Sequence, residues 1–315
     1  MSSARSELLG RLAVFKDSLT ESVTADGTPA DTKKNDVARM LRSGLAVLAF
    51  AITEAFIRDR TGEALRGFSI GALRFNDLSE KLQHAVTISA MQGVLFRAKY
   101  QERSNQISWV LGELPLISNA ASNISHLSPY AFGQTSSNLS EDDLTNILAA
   151  FGVEGGWAAI SAVAKRIGLG GAVDYAQTFK ELARRRHAAA HDVSVKIPLN
   201  DLNESVNTIL GICCSFDLLL SHALAKHNIK QIPNKRNGFV KNTDLKLRFI
   251  SPHPTDAGKF REQVEKNNGT GLRTVKVYSS RSVARNVTLP KAKNLHEHII
   301  FLGGNGFPEQ WETWM

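Results

Sequence analysis

The sequence predicts a mainly α-helical protein with a small, basic α+β module at its C-terminal end. Three observations lead there. Apolar residues recur at helical spacing through most of residues 1–228. Beyond Asn228 the period shortens to two over three short runs. The basic surplus sits at that same end: residues 1–225 hold 22 Lys and Arg against 23 Asp and Glu, while residues 226–315 hold 16 against 7, a net of +9.

The helical part reads in order. Ser2 to Leu19 sets Leu8, Leu9, Leu12, Phe15 and Leu19 on one side of a helix. Thr20 to Asp31 is polar and turn-rich, hence a loop. Lys33 to Arg58 carries Val37, Leu41, Leu45, Leu48, Ile52 and Phe56, a sustained stripe of helical period. Asn76 or Asp77 is expected to cap a third helix through Lys99, with Leu82, Val86 and Met91 on one side. Residues 115–139 are rich in Ser, Asn and Pro and read as an irregular insert. Ser140, with Asp143 three residues on, caps a short helix ending at Gly152. Glycines bound another helix between Gly155 and Gly171. Ala172 to His191 is helical, with Asp174 near its start. Pro198 interrupts the chain, and Asp201 with Glu204 reads as a capping box opening a strong helix to about Lys226. Leu202, Val206, Ile209, Cys213, Phe216 and Leu220 face inward along it.

The texture then changes. Residues 229–242 read as a linker and 243–315 as the α+β module, so residues 1–228 form one helical domain. Leu245 to Phe249, Thr274 to Tyr278 and His298 to Leu302 alternate as strands, with Lys and Arg on their outer positions. Asp256 to Asn267 is expected to be a helix. The charge asymmetry points to a polyanion partner, nucleic acid first. A solubility tail or an acidic protein partner is the alternative.

Composition narrows the class. With 43% hydrophobic and 22% charged residues in 315, the chain is neither collagen-like, nor a disulfide scaffold, nor disordered throughout. Its two cysteines, Cys213 and Cys214, are adjacent, so they close no useful loop and are expected to pack as small hydrophobes. The most hydrophobic run, Leu45 to Ile57, spans thirteen residues and includes Thr53 and Glu54, which is short for a bilayer span. The N-terminus shows no hydrophobic signal core. A cytoplasmic setting without a membrane partner is expected.

Chemistry concentrates in Glu181-Leu182-Ala183-Arg184-Arg185-Arg186-His187-Ala188-Ala189-Ala190-His191-Asp192. On a helix, His187 and His191 share a face, whereas Arg186 and His191 stand about 140° apart. The three alanines keep the surface low, so a polyanion or a second copy of the helix can approach. Imidazole titrates near neutrality and moves protons, and guanidinium holds a phosphate oxygen pair. Those groups suffice for RNA cleavage by an internal 2′-hydroxyl, without a metal. Two other readings stand beside that one. A basic helix end can simply be solvated, stabilising the helix by roughly 0.3–1 kcal/mol. A His-x-x-x-His pair can also ligate a metal, although three adjacent arginines would repel a dication and no HExxH pattern supports it.

Arg186-His187-Ala188-Ala189-Ala190-His191 resembles the signature of HEPN-domain ribonucleases: an Arg, a polar residue, then a His after a short interval. Arg42 to Ile57 resembles the early helix of the RiboL-PSP-type HEPN group, and Asn138 to Trp157 resembles the segment before its motif helix. The resemblance covers about residues 35–226. It implies a helical bundle that pairs as a homodimer with the two motif helices facing. It also implies metal-independent RNA cleavage with no cofactor, in toxin–antitoxin or phage-defence systems. RNA and an antitoxin or defence-complex partner are the implied ligands. Arg186 is then expected to orient the scissile phosphate, His191 to transfer protons, and His187 to be the polar second residue. Glu54 falls where related proteins place an acidic residue near the site; alternatively it is a charge at the edge of a core helix. A non-catalytic scaffold of the same fold, binding nucleic acid or a defence partner, remains the alternative function.

The other candidates carry less. His84, His126, His222, His227, His253, His296 and His298 are expected to be surface or packing histidines. Gly303 to Gly306 lacks the strand and helix of a phosphate loop and reads as a turn. Trp311 and Trp314 either stack on bases or pack onto the sheet.

Overall fold

The structure, a computed structural model, describes residues 2–68, 73–133, 138–171, 173–229, 239–266 and 271–313. The helical part consists of α1 (Ser3–Thr20), α2 (Thr32–Arg66), α3 (Glu80–His84), α4 (Ala90–Ala98), α5 (Gln106–Ser118), α6 (Glu141–Ala150), α7 (Gly156–Ala164), α8 (Tyr175–His191) and α9 (Leu199–Asn228). It forms a bundle around α2 and α9, the two long helices, which pack against each other. α1 and α8 pack along α2, and α7 along α9.

The caps follow local chemistry. The Asp174 carboxylate accepts from the Ala176 and Gln177 amides and opens α8. Ser140 and Asp143 form the expected reciprocal box on α6. Two expectations shift. Ser79, not Asn76 or Asp77, caps α3, and a π segment at Ala85–Ser89 joins it to α4. α9 begins at Leu199 directly after Pro198, so Asp201 lies in its first turn and pairs with Arg185 of α8 at 2.9 Å instead of capping.

α9 is buried nearly all round, and Cys213 and Cys214 lie in its fully buried part, where burial pushes both thiols well up. By length and apolarity α2 and α9 could each cross a bilayer, yet they differ in use. The apolar window of α9 is 94% buried within the protein, that of α2 only 44%.

The C-terminal residues form a five-stranded sheet among the described residues: β1 (Leu247–Pro252), β2 (Phe260–Glu265), β3 (Leu272–Tyr278), then α10 (Arg281–Leu295), β4 (His298–Leu302) and β5 (Pro308–Glu312). The order is β3-β2-β1-β4-β5, with β1 and β4 parallel and the other pairs antiparallel. The strand period of two splits the side chains between two cores. Leu247, Phe249, Ile300 and Trp311 join the bundle core, while Ile250, Ile299 and Phe301 pack under α10. Arg166 clasps the sheet to the bundle, donating to the Asn242 and Leu245 carbonyls at 2.6 Å and pairing with Glu265 at 2.7 Å.

Here the sequence expectation needs correcting. Residues 260–265, inside the stretch expected to be helical, are β2, and the helix of this part is α10, which contains Pro290. Glu262 explains the misreading: it lies buried in β2, ion-paired with Arg248 and, at 2.9 Å, with Lys291. A buried ion pair thus removes the apolar alternation that marks a strand. Arg248, expected on an outer position, is buried between Glu262 and Glu297. Trp311 is buried against Phe56, not available to stack on bases, and Trp314 lies outside the described residues. Of the expected linker, Val240 pairs with Val153, and residues 230–238 lie outside the described set. Gly303 to Gly306 forms the β4–β5 turn, with the Gly303 amide donating to the Phe307 carbonyl.

Buried histidines lie at the contact between bundle and sheet and within the bundle itself. The His222 and His298 rings lie 5.6 Å apart, and His227 approaches the Phe151 carbonyl at 3.1 Å. Burial pushes the His222 and His227 imidazoles down to about 4, and that of His298 well below its ordinary range. Unfolded imidazoles take up protons near ~6.5. The unfolded state therefore binds more protons as pH falls below that value, and stability should drop there by up to about 1.4 kcal/mol per pH unit for each histidine. Urea denaturation at about pH 7.5 and about pH 5 measures the drop. An unchanged midpoint would show that these rings are not held neutral.

Candidate functional site

α8 packs antiparallel to α2. The Phe50 and Phe179 rings meet at 5.6 Å, and the stretch after α8 returns to α2 where Arg42 donates to the Ile197 carbonyl at 2.8 Å. Tyr175, Phe179 and Leu182 bury one face of α8. The C-terminal end of the helix is thereby presented outward, with His187 and His191 exposed and Arg186 half-buried.

The His187 and His191 rings lie side by side, tilted at 49° with centroids 4.6 Å apart, as the four-residue spacing allows. α8 runs uninterrupted to His191, so Arg186 stays about 140° around the axis. Among the described residues no carboxylate pairs with Arg186, whereas its neighbours are engaged: Arg184 with Glu181 at 2.6 Å and Arg185 with Asp201 at 2.9 Å. The Arg184 hydrogen bond holds Glu181 below the ordinary carboxylate range. Asp192 ends the helix. Hydrogen bonds from Ser194, with a smaller contribution from the charge of Arg39, hold its carboxyl low as well.

Glu54 is not brought to this group within one chain. It lies about 18 Å beyond Arg42 along α2, at ~1.5 Å per residue. There its Oε1 accepts from Arg58 at 3.0 Å and from the Leu139 amide at 2.7 Å, fixing the segment that leads into α6. Among the described residues, no three His, Cys, Asp or Glu side chains converge as a metal cluster would.

Sequence reasoning missed Arg39 and Lys196, which stand near the end of α8 from opposite ends of the chain's helical part. A long helical stripe with one arginine on its buried flank was the only available signal. The expected basic outer face of the sheet is also reduced. Arg281 and Arg285 pair with Glu309 and Glu312, and Lys259 with Asp256. Lys246, Lys266, Arg273, Lys276 and Lys293 remain exposed.

No curated protein and no solved structure matches the chain significantly. A family model does: RiboL-PSP-HEPN, over residues 9–222, about two-thirds of the chain, from α1 into the buried part of α9. Together with the helical bundle, that match shows that the chain belongs to the RiboL-PSP-HEPN family, whose helical domains are generally ribonuclease-related.

Proposed function

We propose that the protein is a metal-independent endoribonuclease, acting as a homodimer in a toxin or phage-defence role. The observation that carries this reading is the outward end of α8, where two adjacent imidazoles and a guanidinium without an ion pair among the described residues stand on an alanine-smoothed surface. One chain holds the parts on two different sides of the helix. A twofold axis beside α8 brings the missing side from the second copy.

In that arrangement Arg186 holds the non-bridging oxygens of the scissile phosphate. One His191 takes the proton of the ribose 2′-hydroxyl, and the 2′-oxygen attacks phosphorus. The bond to the 5′-oxygen breaks, and the second His191 returns a proton to that oxygen. The products are a 2′,3′-cyclic phosphate and a 5′-hydroxyl. His187 lies against the His191 ring and steadies it.

The dimer reading draws support from α2. Val37, Met40, Leu41 and Leu48 lie exposed on one face, Met40 at 69%, and Gly44 between them leaves open space. An apolar seam of this kind marks an interaction surface, and its helix is the one packed along α8. Leu41→Asp should weaken pairing about 100-fold, because a carboxylate would be buried in the seam. Sedimentation should then show monomers, and RNA cleavage should fall with it, while EDTA leaves the wild-type rate intact. A monomeric Leu41→Asp protein with full activity would remove the two-copy site. The exposed Arg273 and Lys276 on edge strand β3 favour a second reading, a non-catalytic scaffold. Salt-sensitive RNA binding without cyclic-phosphate products would support it.

A further inference from the structure

α8 ends beside a cleft that the motif does not explain. The stretch from Lys196 to Pro198 and the first turns of α2 enclose about 610 Å³, within the ~300–1,000 Å³ that small ligands fill. Its walls are fixed. Arg42 is buried and donates to the Thr24 and Ile197 carbonyls at 2.8 Å while pairing with Asp26 at 3.0 Å. Asn35 ties the preceding loop, accepting from the Gly27 amide at 2.7 Å and donating to the Thr28 carbonyl at 2.9 Å.

Two cations on the wall are not fully engaged. Arg39 reaches Asp36 through one terminal nitrogen at 3.0 Å, but its Nε is buried without a hydrogen-bond partner among the described residues. A buried donor lacking an acceptor is costly and calls for an explanation. Lys196 is exposed and has no ion pair among the described residues. The cleft also opens at the start of a 35-residue helix, whose positive end adds to the attraction for an anion. Its position completes the case: the Arg39 charge acts on Asp192, the residue directly after His191.

We propose that this cleft is an RNA subsite that receives the nucleotide next to the scissile bond, with Arg39 and Lys196 on its phosphate. The assignment rests on the ribonuclease reading and deepens it. The bound strand runs from the Arg186–His191 surface past the end of α8 into the cleft. The Arg39 side chain turns toward that phosphate, which gives its Nε an acceptor, and Lys196 closes over the backbone. The contacts are to phosphate and carry no base preference of their own.

The test compares the full-length wild type with Arg39→Gln, Lys196→Gln and the double variant. Lys196→Gln changes an exposed side chain and so reads binding even if Arg39→Gln proves unstable. Anisotropy with a short single-stranded RNA should show the double variant about tenfold weaker. The slope of log affinity against log salt should be lower by about 0.7, the share of one phosphate on a single strand. In cleavage the loss should fall on KM for that RNA and be much smaller for a dinucleotide, which is too short to fill the cleft. Unchanged affinity and salt slope overturn the subsite, as does an equal loss on the dinucleotide, which would mean an effect transmitted through His191. No cleavage of RNA by the wild type would retire the ribonuclease reading instead, and the binding comparison would still decide the subsite.

Discussion

His191→Ala should lower RNA cleavage about 10²–10⁴-fold, the usual loss when a positioned proton-transfer group is removed. The fold should not notice. His191 is exposed, and its ring contacts that of His187 on the same helix. An exposed side chain with so little packing contributes within about 0.5 kcal/mol of stability. The melting temperature and the dimer should therefore persist while the rate falls. Arg186→Ala should give a comparable loss, and Arg186→Lys should recover little, because an ammonium cannot make the two-point contact of a guanidinium. Mixing the His191→Ala protein with wild type offers a sharper measurement. If each cleavage uses the His191 of both copies, mixed dimers are as slow as the variant, and excess variant suppresses the wild-type activity. Wild-type cleavage by His191→Ala would remove this site from consideration.

Asp217→Ala should have the largest effect on folding, about 3–5 kcal/mol, against total stabilities of roughly 5–15 kcal/mol. Asp217 is fully buried in α9 and gathers four elements. It pairs with Arg5 of α1 and Arg60 of α2, accepts from Ser221 of its own helix at 2.9 Å, and accepts from the Trp311 indole of β5 at 2.7 Å. Burial alone would raise its carboxyl, but the Arg5 and Arg60 charges override it and hold it far below the ordinary range. Removing the carboxylate strands two buried guanidinium groups. Asp217→Asn keeps the shape and loses the charge, so most of the penalty should remain. Urea denaturation followed by helix signal measures it, and a midpoint near wild type would show that solvent reaches the network. With a depressed folded value, the contribution is full above the unfolded value of ~3.9 and disappears as pH falls through the folded one. It leaves the pH range of the histidine effect untouched.

The helical frame was readable because a bundle helix repeats its apolar residues with the period of its own turn. α2, α8 and α9 each show that stripe, and Asp174 and Ser140 carry their caps locally. The sheet was less readable. β2 runs Phe-Arg-Glu-Gln-Val-Glu, and its buried Glu262 finds partners in Arg248 and Lys291, from β1 and α10. α10 hides behind Pro290. Neither pattern has a local cause, so neither has a local signature.

The candidate site divides in the same way. The sequence by itself determined the bundle class and the family, and it was enough to place the candidate trio Arg186, His187 and His191 on one helix, because those residues are close along the chain and helical spacing fixes which faces they share. Only the tertiary structure decided that Glu54 serves Arg58 and Leu139, that Trp311 is buried over Asp217, and that Arg39 and Lys196 meet beside the end of α8. Residues 39 and 196 become neighbours because α8 packs antiparallel on α2, and that packing follows from the apolar surface both helices bury, a property of the folded chain rather than of any segment of it.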